Sequence, residues 1–423
     1  MDDVIELAPQ VRRSAAQGAA ERVARESYGK LVAYLAARSR DVAGAQDALA
    51  DAFAAALSAW PKTGVPGNPA GWLFKAAQRR LIDAARRGKV AAAGAQGLAL
   101  LQEGAATFDD EREAIPDRRL ALMFACAHPA IDPAIRAPLM MQSVLGLDAA
   151  AIASAYLVAP SAMGQRLSRT KAKIRVAGVP FRIPSRDEWP ARLEAVLEAI
   201  YGAFSFGWGE AFAEDPRGRD LSDEAIWLAR VVVSLAPDDP EALGALSLML
   251  HVQARRAARR DGSGRYVPLL EQCVGLWDVR LIGEAEELLR AAGRFGRPGR
   301  FQIEAAIQSA HAMRRFGVAV DWRSIAWLYQ KLLFLTHSPV VAVNCAVALA
   351  NVGDVAAGLA VLAEVEEEGG LAEFQSYWAA KAELSARAGD IVASRAAYER
   401  AIGLERDPAV RAFLQARRAS LAH

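Results

Sequence analysis

The sequence predicts an all-α protein. Alanine is abundant, while Phe, Trp and Tyr together make up only 7% of the chain. Alternating runs of Val, Ile and Thr, the pattern of half-buried strands, are nearly absent. Gly and Pro gather at breaks between segments whose apolar residues recur at helical spacing. The 423 residues are enough for two or three domains, and a 53% hydrophobic content supplies large cores.

The N-terminal "MDDVIELAPQ" is acidic and has no signal-peptide pattern, and no apolar run reaches the length of a membrane span. The expected location is therefore the cytoplasm, without a membrane partner. Cys126, Cys273 and Cys345 are far apart and suit a reducing compartment. Cys126 and His128 form a Cys-x-His with no second pair nearby, so core packing at a helix end is expected there and no metal or cofactor is assigned.

Residues 20–60 read as two helices. In the second, Leu49, Phe53, Leu57 and Trp60 fall on one stripe, with Asp47 and Asp51 one turn apart on the other side. "PKTGVPGNPAG" (61–71) holds three Pro and three Gly and reads as a loop. The helix that follows has Leu73, Ala77, Leu81 and Ala84 as its inner stripe, with Lys75, Arg79 and Arg86 outward. Residues 89–117 read as an acidic linker, with a short helix at "GLALLQ". A second small domain is expected over 118–178, with helix starts at Asp132-Pro133 and Asp148. From 187 to 423 the chain reads as paired helices. "GD" recurs at 353–354 and 389–390, and acid- or Ser-Pro starts recur at 239–240, 338–339 and 407–408, which suggests a TPR-like solenoid.

Residues 149–175 have the form of a helix-turn-helix. A short helix with Ile152 and Tyr156 inward is followed by the turn "LVAP" and a second helix from about Ser161. On that helix Met163, Leu167 and Ile174 would pack inward, while Ser161, Gln165, Arg166, Arg169 and Lys173 would face out. Arg and Gln near the start of such a helix can read base edges, and Lys171, Lys173 and Arg175 farther along would meet phosphates. A second basic element lies at 61–90, with seven Lys/Arg against the single acid Asp83. Its Gly/Pro loop, Trp72 and basic helix suit opened single-stranded DNA, although Trp72 also fits a core position. The charge follows the same division: residues 1–182 carry 24 Lys/Arg against 17 Asp/Glu, a net +7, and residues 183–423 carry 27 against 32, a net −5.

"DVAGAQDALADAFAAALSAW" followed by "NPAGWLFKAAQRRLIDAARR" resembles region 2 of the sigma-70 factors of the extracytoplasmic-function (ECF) group. "GLDAAAIASAYLVAPSAMGQRLSRTKAKIR" resembles their region 4. "DRRLALMFACAHPAIDPAIRAPL", "AGVPFRIP", "RLEAVLEAIYGAF" and "PDDPEALGALSLML" resemble the ECF subfamily with a long C-terminal TPR-like extension. The resemblance implies region 2 over 18–88, region 4 over 118–178 and an extension over 187–423. It implies that Asp47, Asp51 and Phe53 dock on the β′ clamp of core RNA polymerase, and that region 4 meets the β flap. Lys62, Asn68, Trp72, Lys75, Gln78, Arg79 and Arg86 would open and read the -10 element; Ser161, Gln165, Arg166, Arg169, Lys171 and Lys173 would bind the -35 element. The linker matches the segment that threads toward the RNA exit path. Three positions depart from the pattern: Ala50 stands where a Gln is frequent, Arg79 where many members have Asn, and "SFGWGE" where an Asn-Glu-Gly-type segment is usual.

The expected function is promoter recognition without bond-making chemistry, with polymerase and promoter DNA as partners. The acidic extension would tune activity by packing on regions 2 or 4, or by binding a protein or peptide on its concave face. One rival is a dimeric one-component regulator with a helix-turn-helix and a TPR-like sensor, which leaves residues 20–88 without a task. An enzyme is a second rival, but the five histidines are scattered and no GxSxG, P-loop or dinucleotide fingerprint is present.

Overall fold

The computed structural model describes residues 3–39, 41–91, 117–177, 184–210, 217–368 and 371–421. Among them there is no β-strand; apart from one bridge between Arg260 and Tyr266, all regular structure is helical. The expected helix at "GLALLQ" and most of the acidic linker lie outside the described residues. The chain forms two compact units, the first running to Ser222 and the second from Asp223.

The first unit begins with α1 (Asp3–Ser39), α2 (Val42–Thr63) and α3 (Pro69–Ala91), which pack on one another. Asp41 caps α2 by accepting the Gly44 N–H at 2.9 Å. The inner face of α2 is Leu49, Ala52, Ala56 and Trp60, and Leu57 is 45% exposed, contrary to the expected stripe. At 100° per residue a four-residue spacing drifts by 40° each step, so the line through 49, 53 and 57 leaves the buried face. Helix α2 also continues through Pro61 to Thr63, so the loop is shorter than expected and begins at Gly64, whose φ of 85° suits glycine. On α3, Leu73, Ala77 and Leu81 are buried as expected, whereas Ala84 is exposed.

Four short helices follow: α4 (Arg118–Cys126), α5 (Pro133–Ser143), α6 (Ala149–Ala155) and α7 (Pro160–Ala177). Asp117, Asp132 and Asp148 cap the first three of these. They pack against the first three helices through α1 on α4 and α2 on α7. A Cβ at Gly29 would overlap the Val144 carbonyl, so α1 approaches this domain at a distance that only glycine allows.

Helix α8 (Pro190–Glu210), the first helix of the expected extension, clusters with this unit. It packs on α4, α5 and α6 and buries Val196, Leu197, Ile200 and Phe204. Each such side chain contributes roughly 1.5–3 kcal/mol.

The second unit contains most of α9 (Arg217–Leu235), then α10 (Pro240–Gln253), α11 (Val279–Gly293), α12 (Arg300–Ala312), α13 (Trp322–Thr336), α14 (Pro339–Val352), α15 (Val355–Glu368), α16 (Gln375–Arg387), α17 (Ile391–Leu404) and α18 (Pro408–Ser420). Successive helices pack as neighbours: α13 on α14, α14 on α15, α16 on α17, α17 on α18. Helix α10 is buried almost all round, between α11 and α12. Its Glu241 accepts the N–H groups of Phe301 at 2.8 Å and Gln302 at 3.2 Å, and so caps α12, whose own N-cap is Gly299. The recurring "GD" pairs are helix junctions. Gly353 and Gly389 have φ of 108° and 86°, and Asp354 and Asp390 accept N–H groups at the start of the next helix.

Candidate nucleic-acid interface

Helix α3 starts where Asn68 Oδ1 accepts the Gly71 N–H at 2.8 Å, so the loop residue expected at DNA also fixes the helix start. Trp72 is half-buried and meets the fully buried Trp60 edge-on, with ring centroids 5.6 Å apart. The core reading of Trp72 and its place at the surface thus coexist, with one edge in the core and one outside. Trp72, Lys75 and Arg79 fall within about 60° of arc on α3, and both basic residues are exposed. Gln78 is half-buried, and Lys62 stands exposed on the last turn of α2. The side chain of Arg86 lies outside the described residues.

On α2, Asp47 and Asp51 are exposed and Phe53 is half-buried. Asp51 pairs with Arg80 of α3 at 2.6 Å. This pair links the acidic edge of α2 to the basic helix beside it, and its exposure makes it worth little to stability.

Helix α6 buries Ile152, and its C-cap Tyr156 is half-buried, with its hydroxyl donating to Glu198 of α8 at 2.9 Å. Leu157 then takes a φ of 52°, uncommon outside glycine, and the chain turns into α7 at Pro160. Met163 and Leu167 are each 1% exposed. Ser161, Gln165, Arg166, Arg169 and Lys173 are all exposed and span an arc of about 140°. The side chain of Arg175 lies outside the described residues.

Lys171 is placed differently from the outward residues. It lies at the edge of the buried arc, half-buried, within electrostatic reach of Cys126 of α4 and Asp47 of α2. Burial pulls its ammonium below the usual lysine range, against the opposing charge of Asp47. Burial likewise pushes the Cys126 thiol up to about 12, so it is a neutral core group. His128 Nδ1 accepts the Ala130 N–H at 3.1 Å, which stabilises the turn after α4. The helical period already puts position 171 about 40° from Leu167, a signal that the basic character of the run obscures.

The geometry therefore offers two basic, outward faces in one unit, on α3 and on α7, each backed by an apolar core and suited to polyanion binding. Among the described residues no group of three or more His, Cys, Asp or Glu is placed to hold a metal ion, and no helix is long and apolar enough to cross a membrane.

Residues 24–90 match the sigma-70 region 2 family, covering the C-terminal part of α1 with α2 and nearly all of α3. Residues 192–293 match a family of unknown function, DUF6596, a segment that begins inside α8 and ends with α11. A Rhizobium meliloti (strain 1021) protein carrying the name "uncharacterized protein" is 34% identical over 400 residues, 92% of each chain. No solved structure matches the chain.

Proposed function

The chain belongs to the family of that Rhizobium meliloti protein and carries a sigma-70 region 2 domain at 24–90, and from this premise we propose that it is an ECF-type sigma factor. It binds core RNA polymerase through Asp47, Asp51 and Phe53 on α2. It engages the melted -10 element with Lys62, Asn68, Trp72, Lys75, Gln78, Arg79 and Arg86, and the -35 element with the outer face of α7. The helical C-terminal unit is a TPR-like regulatory extension. The observation that carries the reading is the region 2 match over the helices that hold the exposed Lys75 and Arg79 beside Trp72.

The chemistry of such a protein is recognition. A base splayed from the -10 strand stacks on an aromatic edge while basic side chains follow the phosphates. Gln165, Arg166 and Arg169 reach major-groove edges from the first turns of α7. Elements centred 25 base pairs apart are about 85 Å apart along B-DNA. A compact unit of this size is only about 45 Å across. Region 2 and the helix-turn-helix, packed together in the free chain, therefore separate when polymerase and promoter are engaged.

The test is co-elution of the full chain with core polymerase. The wild type should co-elute, and a variant with Asp47→Arg and Asp51→Arg should not. A wild-type chain that never binds core would remove the sigma reading and leave the helix-turn-helix regulator.

A further inference from the structure

Four arginines fall within six residues just after α10: Arg255, Arg256, Arg259 and Arg260. Two of them meet carboxylates from other helices, Arg256 with Asp223 at 3.5 Å and Arg260 with Asp407. Arg255 turns instead toward α12, where its Nη2 donates to Gln308 Oε1 at 2.5 Å. Among the described residues it forms no ion pair with a carboxylate. Arg314, on the 3-10 turn Met313–Phe316, likewise forms none. Its guanidinium is held by the Leu269 and Leu270 carbonyls at 2.7 and 2.8 Å and lies over the Trp277 ring at 5.4 Å.

The neighbouring groups are mostly donors; one carboxylate, Glu304, lies within electrostatic reach of Tyr329 and is paired with Arg300 at 2.8 Å. His311 is 5% exposed, sits edge-on to Trp322, and its Nδ1 has no hydrogen-bond partner among the described residues. The Tyr329 phenol of α13 lies within electrostatic reach of Arg255. Burial, partly offset by Tyr329 and reinforced by Arg259 and Arg314, holds the Arg255 guanidinium down to about 10.

Amide and carbonyl oxygens satisfy N–H donors but leave positive charge uncompensated, and like charges gathered away from water are costly. Arg255 and Arg314 each keep some exposed surface in the folded chain. The planar fork of a guanidinium matches the two oxygens of a carboxylate or phosphate. We propose that Arg255 and Arg314 anchor a small oxyanion ligand, a molecule carrying a carboxylate or phosphate group, in the C-terminal unit. Tyr329 Oη and the Nδ1–H tautomer of neutral His311 complete the donor set. The site uses none of the residues assigned to polymerase or DNA, so it stands or falls apart from the sigma reading. Within that reading it gives the extension a chemical input.

The experiment is isothermal titration of the full chain with inorganic phosphate and, separately, with malonate. Potassium chloride at matched ionic strength is the control. Saturable binding of at least one oxyanion above the chloride control is expected; phosphate alone points to a phosphorylated ligand and malonate alone to a carboxylate. Arg255→Gln should weaken binding about tenfold or more, and Tyr329→Phe, which keeps the ring, by a smaller factor. Absence of binding by either oxyanion overturns the proposal, as does equal affinity in a folded Arg255→Gln chain. Should that variant fail to fold, unchanged affinity in both Tyr329→Phe and Arg314→Lys overturns it instead.

Discussion

The Arg192 guanidinium, 1% exposed, donates from Nη1 to the main-chain carbonyl of Phe124 at 3.0 Å. Its Nη2 meets Glu188 Oε1 at 2.9 Å. Because Arg192 lies on α8 and Phe124 on α4, a helix after the helix-turn-helix is built into the core beneath it. Arg192→Ala strips a buried carbonyl and a partly buried carboxylate of their partner, and should cost about 3 kcal/mol. Hydrogen exchange should place the loss in α4 and α8. A chain ending at residue 182 lacks α8 altogether, so its α4–α7 amides should exchange faster than those of a chain ending at 211. Equal protection in the two would show that α8 adds nothing to this core.

Lys171 and Lys173 are two residues apart but differ in surroundings: Lys173 is exposed, and burial draws Lys171 down against the opposing pull of Asp47 and Cys126. The slope of log affinity against log salt, measured on duplex DNA with the polymerase complex, should separate them. Lys173→Ala should reduce the slope by about 0.9. Lys171→Met should leave it unchanged.

Trp60 is 1% exposed, and Trp72 leans on it from the surface. Trp60→Ala should cost about 3–5 kcal/mol in thermal or urea unfolding of the first unit. Trp72→Ala should cost roughly half of that, since one edge is already outside. Opening of promoter DNA should fall with Trp72→Ala and be largely kept by Trp72→Phe, which retains a stacking face.

Burial, reinforced by Arg255 and Arg314, depresses the His311 imidazole to about 4, so it is neutral in the folded chain at pH 7. The unfolded chain binds a proton there below about 6.5. Between those values the unfolded state holds more protons, so stability rises with pH across this window and is fully present above it. The effect is at most about 3 kcal/mol. His311→Phe should flatten that part of the pH profile of the second unit, read by urea midpoints from pH 4 to 7.5.

Much of this architecture is legible locally. Asp132, Asp148, Asp239 and Asp407 cap helices where the sequence marks starts, because a cap depends only on the next three residues. The "GD" junctions are local in the same way. Exposure on α7 follows from the period, which is why Ser161, Gln165, Arg166, Arg169 and Lys173 all face out. What the sequence hides is non-local. That Lys171 is half-buried within reach of Asp47, that Leu57 stays outside while Ala56 goes in, and that α8 packs on α4, α5 and α6 all depend on which helices meet. The charge-poor surroundings of Arg255 are equally invisible in "RRAARRDGSGR", since Gln308, His311, Arg314 and Tyr329 come from later helices and turns.

The central claim is that this chain directs RNA polymerase to promoters. The most direct measurement is run-off transcription in vitro from the promoter of its own operon, with purified core polymerase and the full chain. A discrete transcript that requires the chain and is lost when Lys75 and Arg79 are both replaced by Ala is the expected result. A transcript that forms equally without the chain, or none with it, would show that this protein is not a sigma factor.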